Sequence, residues 1–591
     1  MIGGRIAVAY VVKIDGSEVL LNLCESHRGQ VAGHLEGISQ IGQPGDLLGA
    51  SAGNELIVLR IQSIEFAEPR EAHILGVGTP SLKAEPLRQV RAHALGYIHR
   101  SNGKIEFIPE EWRTPALGAE VFPLSTEEIM SILSPKDKGK KIKIGTEARG
   151  TSLSIDVSLD SFLSRDVAVL GATGQGKTHF IAGIVQQMLD LPKARIVIFD
   201  VNGEYGPAFE NFSNKCIKYT ILGNNTGRVQ NGAQLLRIPY YALGRNGLCR
   251  LLIPSERAQL PALRFAIEHL QYVAADANGA HLVDQANHVL FDDCRREGAE
   301  EAYKAMNKIR SGTATVAKFW PHMRALSCLA AEWYCLGGPD RNGNYERSSF
   351  HYSSVQPLVN RIRGFIEDEQ FKKIINVEGG IPKKEGQLDW YYESSIIVEE
   401  IFGTAKGDDG WQVHIVDLSQ LVQDLMPFVL GALLELYASE LFRRGPGGTH
   451  PTLLILEEAH HYLRELPGDA EGRNQVLAYE RLAKEGRKYH LSLLVSTQRP
   501  SELSSTVLAQ CGTWCVFRLT NDNDQRAVSS ASESSFGYVL RQIPGLPRGQ
   551  AIILGNAVPF PCRINVVSAV PQPRSLDANF SVAWGGSEEL N

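Results

Sequence analysis

The sequence predicts an α/β protein in which a doubly wound parallel sheet is preceded by a small β-barrel and interrupted by a block of helices. Three observations carry this. From about Thr151 onward, short apolar runs alternate with amphipathic stretches, the pattern of a parallel sheet with helices on both faces. Before that, to roughly Pro123, the chain is a succession of short strand-like runs separated by turn residues. Between about Ser255 and Phe371 no strand pattern holds, and runs such as Leu260 to Ala275 and Val355 to Glu367 show helical spacing.

Length and composition fit this reading. A chain of 591 residues has room for three or four domains of about 150 residues each. With 43% apolar and 21% charged residues it is neither fibrous nor disordered. The formal charge of -6 leaves nucleic-acid contact to a local basic patch. Nine scattered cysteines, none in a CxxC pair, read as reduced thiols of a cytoplasmic protein. The N-terminus alternates like a strand and lacks the pattern of an export signal. Met426 to Phe442, the most apolar long window, carries Glu435 and Glu440 and is too short to span a bilayer, so it reads as a buried helix stopped by Arg443, Arg444, Gly445 and Pro446.

In chain order, residues 1–125 form the expected barrel, with strands at Arg5 to Ile14, Glu18 to Leu23, Glu55 to Ile64 and His73 to Val77. Residues 126–150 follow as a linker whose lysine-rich stretch, Lys136 to Lys143, suits a solvated connection or a rim that meets phosphate. The sheet domain is then divided into 151–254 and 381–564 by the helical insertion, 255–380. Its candidate strands are Asp166 to Leu170, Arg195 to Phe199, Val413 to Asp417, Thr452 to Leu456, Leu491 to Ser496, Thr513 to Leu519 and Gln550 to Leu554. Residues 565–591 read as an extended tail, or an arm laid on a neighbour.

The chemistry concentrates after the first of these strands. Leu170 is followed by Gly171-Ala172-Thr173-Gly174-Gln175-Gly176-Lys177-Thr178 and then by an apolar helix, a complete Walker A in its proper strand-to-helix setting. Gly171, Gly174 and Gly176 let successive N–H groups turn towards phosphates, Lys177 neutralises the outer phosphates, and the Thr178 hydroxyl reaches Mg²⁺. Thr173, Gln175 and His179 complete the expected ATP-binding set. A second strand must hold the metal's shell and activate water. Leu453 to Leu456 followed by Glu457 and Glu458 supplies it, with Glu457 towards Mg²⁺ and Glu458 as general base. Two acids after a strand are also an ordinary helix-start pair. Asp200, which leads into Gly203-Glu204-Tyr205, and Gln498, a candidate γ-phosphate sensor, end two further strands where a nucleotide would lie; each also reads as a cap or turn residue.

Taken together, SRDVAVLGATGQGKT, IVIFDVNGEYG, LLILEEAHHYL, ERLAKEGRKYHLSLLVSTQRPSEL and LAQCGTWCVFRLTNDNDQ, spread in order from Ser164 to Gln525, resemble the HerA-type translocases of the HerA/FtsK superfamily. The resemblance implies a RecA-like P-loop NTPase core behind a HAS barrel, assembled as a hexameric ring that threads double-stranded DNA through its pore. It also implies a trans arginine, for which Arg487 stands in the similar position and Arg165 is a second family-like arginine; either reads alternatively as a surface residue. Glu457 departs mildly from the Asp of most Walker B strands. Arg245, Arg250 and Arg464 are candidate DNA contacts. HerA-like rings work with an effector on the barrel end, a NurA-like nuclease or, in bacterial relatives, a nuclease or sirtuin-type NAD-consuming enzyme of anti-phage defence. The composition is that of a mesophile, which makes such a bacterial context the expectation. Alternative readings are an ATP-sensing scaffold that assembles and activates the effector, and a membrane-associated pump, for which no anchoring segment is seen.

Overall fold

The structure is a computed structural model and describes residues 5–24, 31–34, 37–40, 43–66, 88–101, 104–110, 113–135, 139–148, 153–212, 217–223, 233–275, 299–312, 320–379, 390–403, 410–463, 478–531, 540–574 and 584. The chain divides into two units, Met1–Leu159 with Ser535–Gln542 and Ile553–Ile564, and Asp160–Ser534 with Ile543–Ile552 and Asn565–Asn591.

In the first unit, strands Glu18–Leu23, Ala9–Asp15, Glu120–Pro123, Leu47–Ala52, Glu55–Phe66 and Arg88–Ser101 pair in that order. The first closes on the last in the register Leu21↔Val90, making a six-stranded barrel. Alternation does the folding: Ala9 and Val11 point into the core with Val19, Leu21, Leu59 and Val90, while Tyr10 and Val12 face outward. Lys104–Pro109 adds a hairpin strand to Arg88–Ser101. The strand expected at His73 to Val77 lies outside the described residues.

The expected linker, 126–150, is in large part built structure. Ser125 and Glu128 form a reciprocal capping box that starts the helix Thr126–Leu133. The Glu128 carboxylate also takes Arg5 and Arg100 as ion-pair partners. Lys141–Glu147 is a strand paired antiparallel with Ser154–Ser158. Its lysines disguised a period of two, in which Ile142 and Ile144 are buried between exposed Lys141 and Lys143.

The second unit is built on eight parallel strands in the order Cys511–Val516, Asp166–Leu170, Leu491–Thr497, Thr452–Leu456, Ile196–Asp200, Val413–Asp417, Ile217–Leu222 and Gln234–Leu236. Asp166–Leu170, Ile196–Asp200, Val413–Asp417 and Thr452–Leu456 are buried at every position, as strands covered on both faces must be. Leu491–Thr497 lies between the Walker A and Walker B strands, so Gln498 emerges between the two phosphate-binding motifs. Met426–Arg444 is the expected buried helix, ended by Gly445 at φ 79° with Arg443 and Arg444 paired to Glu440. The segment between the two halves of the sheet carries helices Gln259–Ala275, Ala299–Arg310, Arg324–Cys335, Ser349–Glu367 and Glu369–Ile374. A buried Arg347–Glu332 ion pair ties the segment just before Ser349–Glu367 to Arg324–Cys335. Among the described residues no helix is long and apolar enough to cross a membrane.

Candidate functional site

All the carboxyl ends of a parallel sheet open on one edge, and here the chain places its polar motifs on that edge. Gly171 leaves the Asp166–Leu170 strand at φ 158°, and a Cβ on it would stand 2.5 Å from the Phe517 Cβ, so the loop can start its turn only with glycine there. Gly174 and Gly176 also have positive φ, and Gly176 caps the helix Lys177–Met188, whose first N–H groups point into the loop. Phe180 meets Phe517 edge to face at 6.0 Å, fixing that helix to the sheet.

Lys177 is buried and its Nζ donates to the carbonyls of Gly171 at 2.8 Å and Ala172 at 3.2 Å. Burial pulls its pKa down, while Glu458, Glu457 and Glu204 oppose that shift. The Thr178 hydroxyl has two carboxylate oxygens in reach, Glu204 Oε2 at 3.0 Å and Glu457 Oε1 at 3.2 Å. Tyr205 donates to the same Glu457 oxygen at 3.2 Å, and Tyr462 donates to the Glu457 carbonyl at 2.9 Å. Glu457 is 2% exposed, its Oε2 has no hydrogen-bond partner, and burial with Asp200, Glu204 and Glu458 nearby pushes its pKa well up.

Glu458 sits at φ 43°, a left-handed conformation that costs a non-glycine residue about 1–2 kcal/mol and is typical of a side chain held for chemistry. Burial raises its pKa, opposed first by Lys177 and then by a hydrogen bond from the Gln498 main chain. His460, whose pKa is pushed down to about 4 by burial, hydrogen-bonds Thr497 Oγ1 through Nδ1 at 3.0 Å, and the same nitrogen stands 3.4 Å from Glu458 Oε2, which has no hydrogen-bond partner. Gln498 Oε1 accepts from the Thr173 hydroxyl, which brings the end of the Leu491–Thr497 strand onto the P-loop. Walker A, Glu457, Glu458 and Gln498 therefore lie together on one edge of the sheet.

Four candidates do not join them. Asp200 is fully buried, with Oδ1 accepting from Gly203 N and Glu204 N and Oδ2 from Tyr205 N at 2.8–3.0 Å. Both oxygens are committed to the main chain, so its place is that of a turn anchor rather than a catalytic acid, which corrects the first assignment. Arg165 and Arg487 are exposed and stand before the first residues of their strands, at the amino edge of the sheet, away from this chain's own P-loop. His179 is half-buried and its pKa is lowered by burial and by Arg548. Glu204 and Tyr205 are the residues the sequence reading passed over. Their only signal was position, four and five residues after Asp200, in the turn that Asp200 organises.

The description Helicase HerA, central domain, matches residues 142–325. The DNA double-strand break repair helicase HerA of Pyrococcus furiosus is 22% identical over 498 residues, covering 78% of this chain and 76% of the relative. The chain is similar to the HerA helicases over most of its length. The HerA of Saccharolobus solfataricus is 23% identical over 490 residues, covering 82% of this chain and 78% of its own. Among solved structures, VirB4 of Thermoanaerobacter pseudethanolicus is similar at a TM-score of 0.44 and 12% identity, covering 76% of this chain and 100% of VirB4. The plasmid coupling protein TrwB in complex with ADP and Mg²⁺ is similar at 0.40 and 13% identity, covering 76% of this chain and 93% of TrwB. As a P-loop ATPase similar to HerA, the chain has its chemical groups in place on one sheet edge. Of its candidate DNA contacts, Arg245 is paired with Glu268 at 3.2 Å, Arg250 packs against Gly431, and Arg464 lies outside the described residues.

Proposed function

We propose that this HerA-like chain is an ATP-driven motor that moves along DNA as a ring of six copies and works with an effector protein, a nuclease or an NAD-consuming enzyme. The observation that carries the reading is the convergence of Lys177, Thr178, Glu204, Glu457, Glu458 and Gln498 on one helix N-terminus.

The phosphates lie on the N–H groups of Gly171 to Thr178, with Lys177 leaving its two carbonyl partners to meet them. The buried, partnerless Glu457 Oε2 and the crowding of three carboxylates fit a divalent cation, with Thr178, Glu457 and Glu204 as the groups that would hold Mg²⁺. When bound, Mg²⁺ neutralises charge that develops on the phosphates. Glu458 accepts the proton of the attacking water, and Gln498, held to Thr173, orients that water against the terminal phosphate. Arg487 of an adjacent copy contributes the cation that this chain's own P-loop lacks. The DNA part of the reading follows the family's helicases, and phosphate contacts by Lys and Arg would make it sensitive to salt.

The test is ATP hydrolysis by the purified full chain with and without duplex DNA, beside Lys177→Ala and Glu458→Gln. Stimulation by duplex and loss of turnover by at least about 100-fold in both variants, with nucleotide binding retained in Glu458→Gln, are expected. Unchanged hydrolysis in Lys177→Ala would overturn the site, and indifference to DNA would overturn the motor.

A further inference from the structure

The C-terminal segment, expected as a tail or as an arm on a neighbour, runs through residues 565–574 along this chain's own P-loop helix. Gly183 allows the approach, since a Cβ there would stand 3.2 Å from the Ser568 carbonyl carbon and 3.2 Å from Ala569 N. Three residues further along the helix, Gln186 clamps the segment. Its Nε2 donates to Pro571 O at 3.0 Å and to Ala208 O at 2.7 Å, and its Oε1 accepts from Val570 N at 2.9 Å.

Both ends of the segment lead to the nucleotide site. At one end, Val566 N donates to Gly549 O at 2.9 Å, and Gly549 N donates to Gln175 O of the P-loop at 3.1 Å. At the other, Arg574 N donates to Glu204 O at 2.9 Å. Glu204 is thus gripped on both sides of its Cα, its N–H by Asp200 and its carbonyl by the C-terminal segment. With both peptide units fixed, its side chain has only its own rotamers left, and the one present delivers Oε2 to Thr178. These contacts to P-loop and Glu204 are made by main chain, and Val570 itself is 78% exposed. Ala569 and Pro573 are its buried side chains, so the segment is fitted by shape and main-chain hydrogen bonding with little apolar bulk of its own.

We propose that residues 566–574 form a strap that positions Glu204 for the divalent cation, acting through the Arg574 N–H, with Gln186 as its buckle. The strap is a positioning element and touches no reacting atom. The inference rests on the reading that the site binds Mg²⁺ with ATP.

The full-length protein tests it in three variants. Gln186→Ala removes the buckle, Arg574→Pro removes the N–H that holds Glu204, and Arg574→Ala keeps that N–H while removing the side chain. The readouts are the Mg²⁺ concentration for half-maximal ATP hydrolysis, the Mg²⁺ dependence of binding a fluorescent ATP analogue, and Tm. Loss of a group that orients a metal ligand should raise both Mg²⁺ midpoints by about 3- to 10-fold in Gln186→Ala and Arg574→Pro. Turnover at saturating Mg²⁺ should stay within about twofold of wild type, and Arg574→Ala should match wild type. Unshifted midpoints in both variants would overturn the strap, and so would an equal loss of turnover at every Mg²⁺ concentration with a lowered Tm. Failure of the wild-type chain to hydrolyse ATP would strike the parent reading instead, and the binding measurement would still decide the strap.

Discussion

Asp166 shows how an acid can be buried in this sheet without serving the nucleotide. It opens the Walker A strand, its Oδ1 accepts from Leu493 N at 3.0 Å, its Oδ2 has no partner, and burial pushes its pKa up to about 7. A carboxyl whose folded pKa lies above its unfolded one is favoured in its protonated form. Its contribution to stability is complete below the ordinary carboxylate range and is lost as pH rises through about 7. Asn at this position keeps the acceptor for Leu493 and cannot ionise. Asp166→Asn should therefore be more stable than wild type at pH 8, by roughly 2 kcal/mol, with the advantage fading towards pH 4. Denaturant unfolding across that range reads it directly, and a wild type as stable as the variant at pH 8 would show that the buried carboxylate finds relief elsewhere. Glu457 and Glu458 also have raised pKa values, but there three acids crowd around Lys177 and Thr178, and a cation is the natural relief.

At the scale of elements, what was legible in the sequence was what the chain encodes locally. The Walker A loop is eight consecutive residues, and the strands Asp166–Leu170, Val413–Asp417 and Thr452–Leu456 are unbroken apolar runs because both their faces are covered. Ile217–Leu222 escaped notice because Lys218 and Tyr219 interrupt it. The burial of its partner strand is instead made tolerable by a side-chain link, His414 Nε2 to Thr220 Oγ1 at 2.8 Å. Arg88–Ser101 escaped because a barrel strand shows water only one face, and there it carries Arg91 paired with Glu65. The strap and Glu204 were invisible for a different reason: each is placed by hydrogen bonds between residues hundreds of positions apart. The Walker A loop was read from its pattern, but its tolerance is set by a distant element, Phe517. Gly171→Ala should lose nucleotide binding by at least about 10-fold, because the clash with Phe517 Cβ and the φ of 158° act together. The thermal midpoint should fall at the same time, and an alanine variant that bound ATP normally would mean that the loop can leave the sheet by another path.

At the scale of the whole molecule the question is what finishes the site. Arg487 is exposed in the turn before Leu491–Thr497, and Gln498 follows that strand at its other end. Seven residues of strand span roughly 20 Å, several times the reach of an arginine side chain, so Arg487 cannot serve the P-loop of its own chain. Its guanidinium makes no ion pair with a described residue, so the proposed trans role would not have to break one. Loss of an arginine supplied in this way typically lowers turnover by about 10³-fold or more while leaving ATP binding intact, which is the expectation for Arg487→Ala. Mixing separates a trans role from a merely structural one. Lys177→Ala protomers keep Arg487, and Arg487→Ala protomers keep the P-loop, so a mixed assembly contains junctions with one intact half from each. At equal proportions about one junction in four is complete, and hydrolysis should reappear from two inactive preparations towards that fraction of the wild-type rate. If the mixture stays silent while size measurements show that the two variants assemble together, the cation does not come from Arg487, and Arg165, exposed at the same edge of the neighbouring strand, becomes the residue to test.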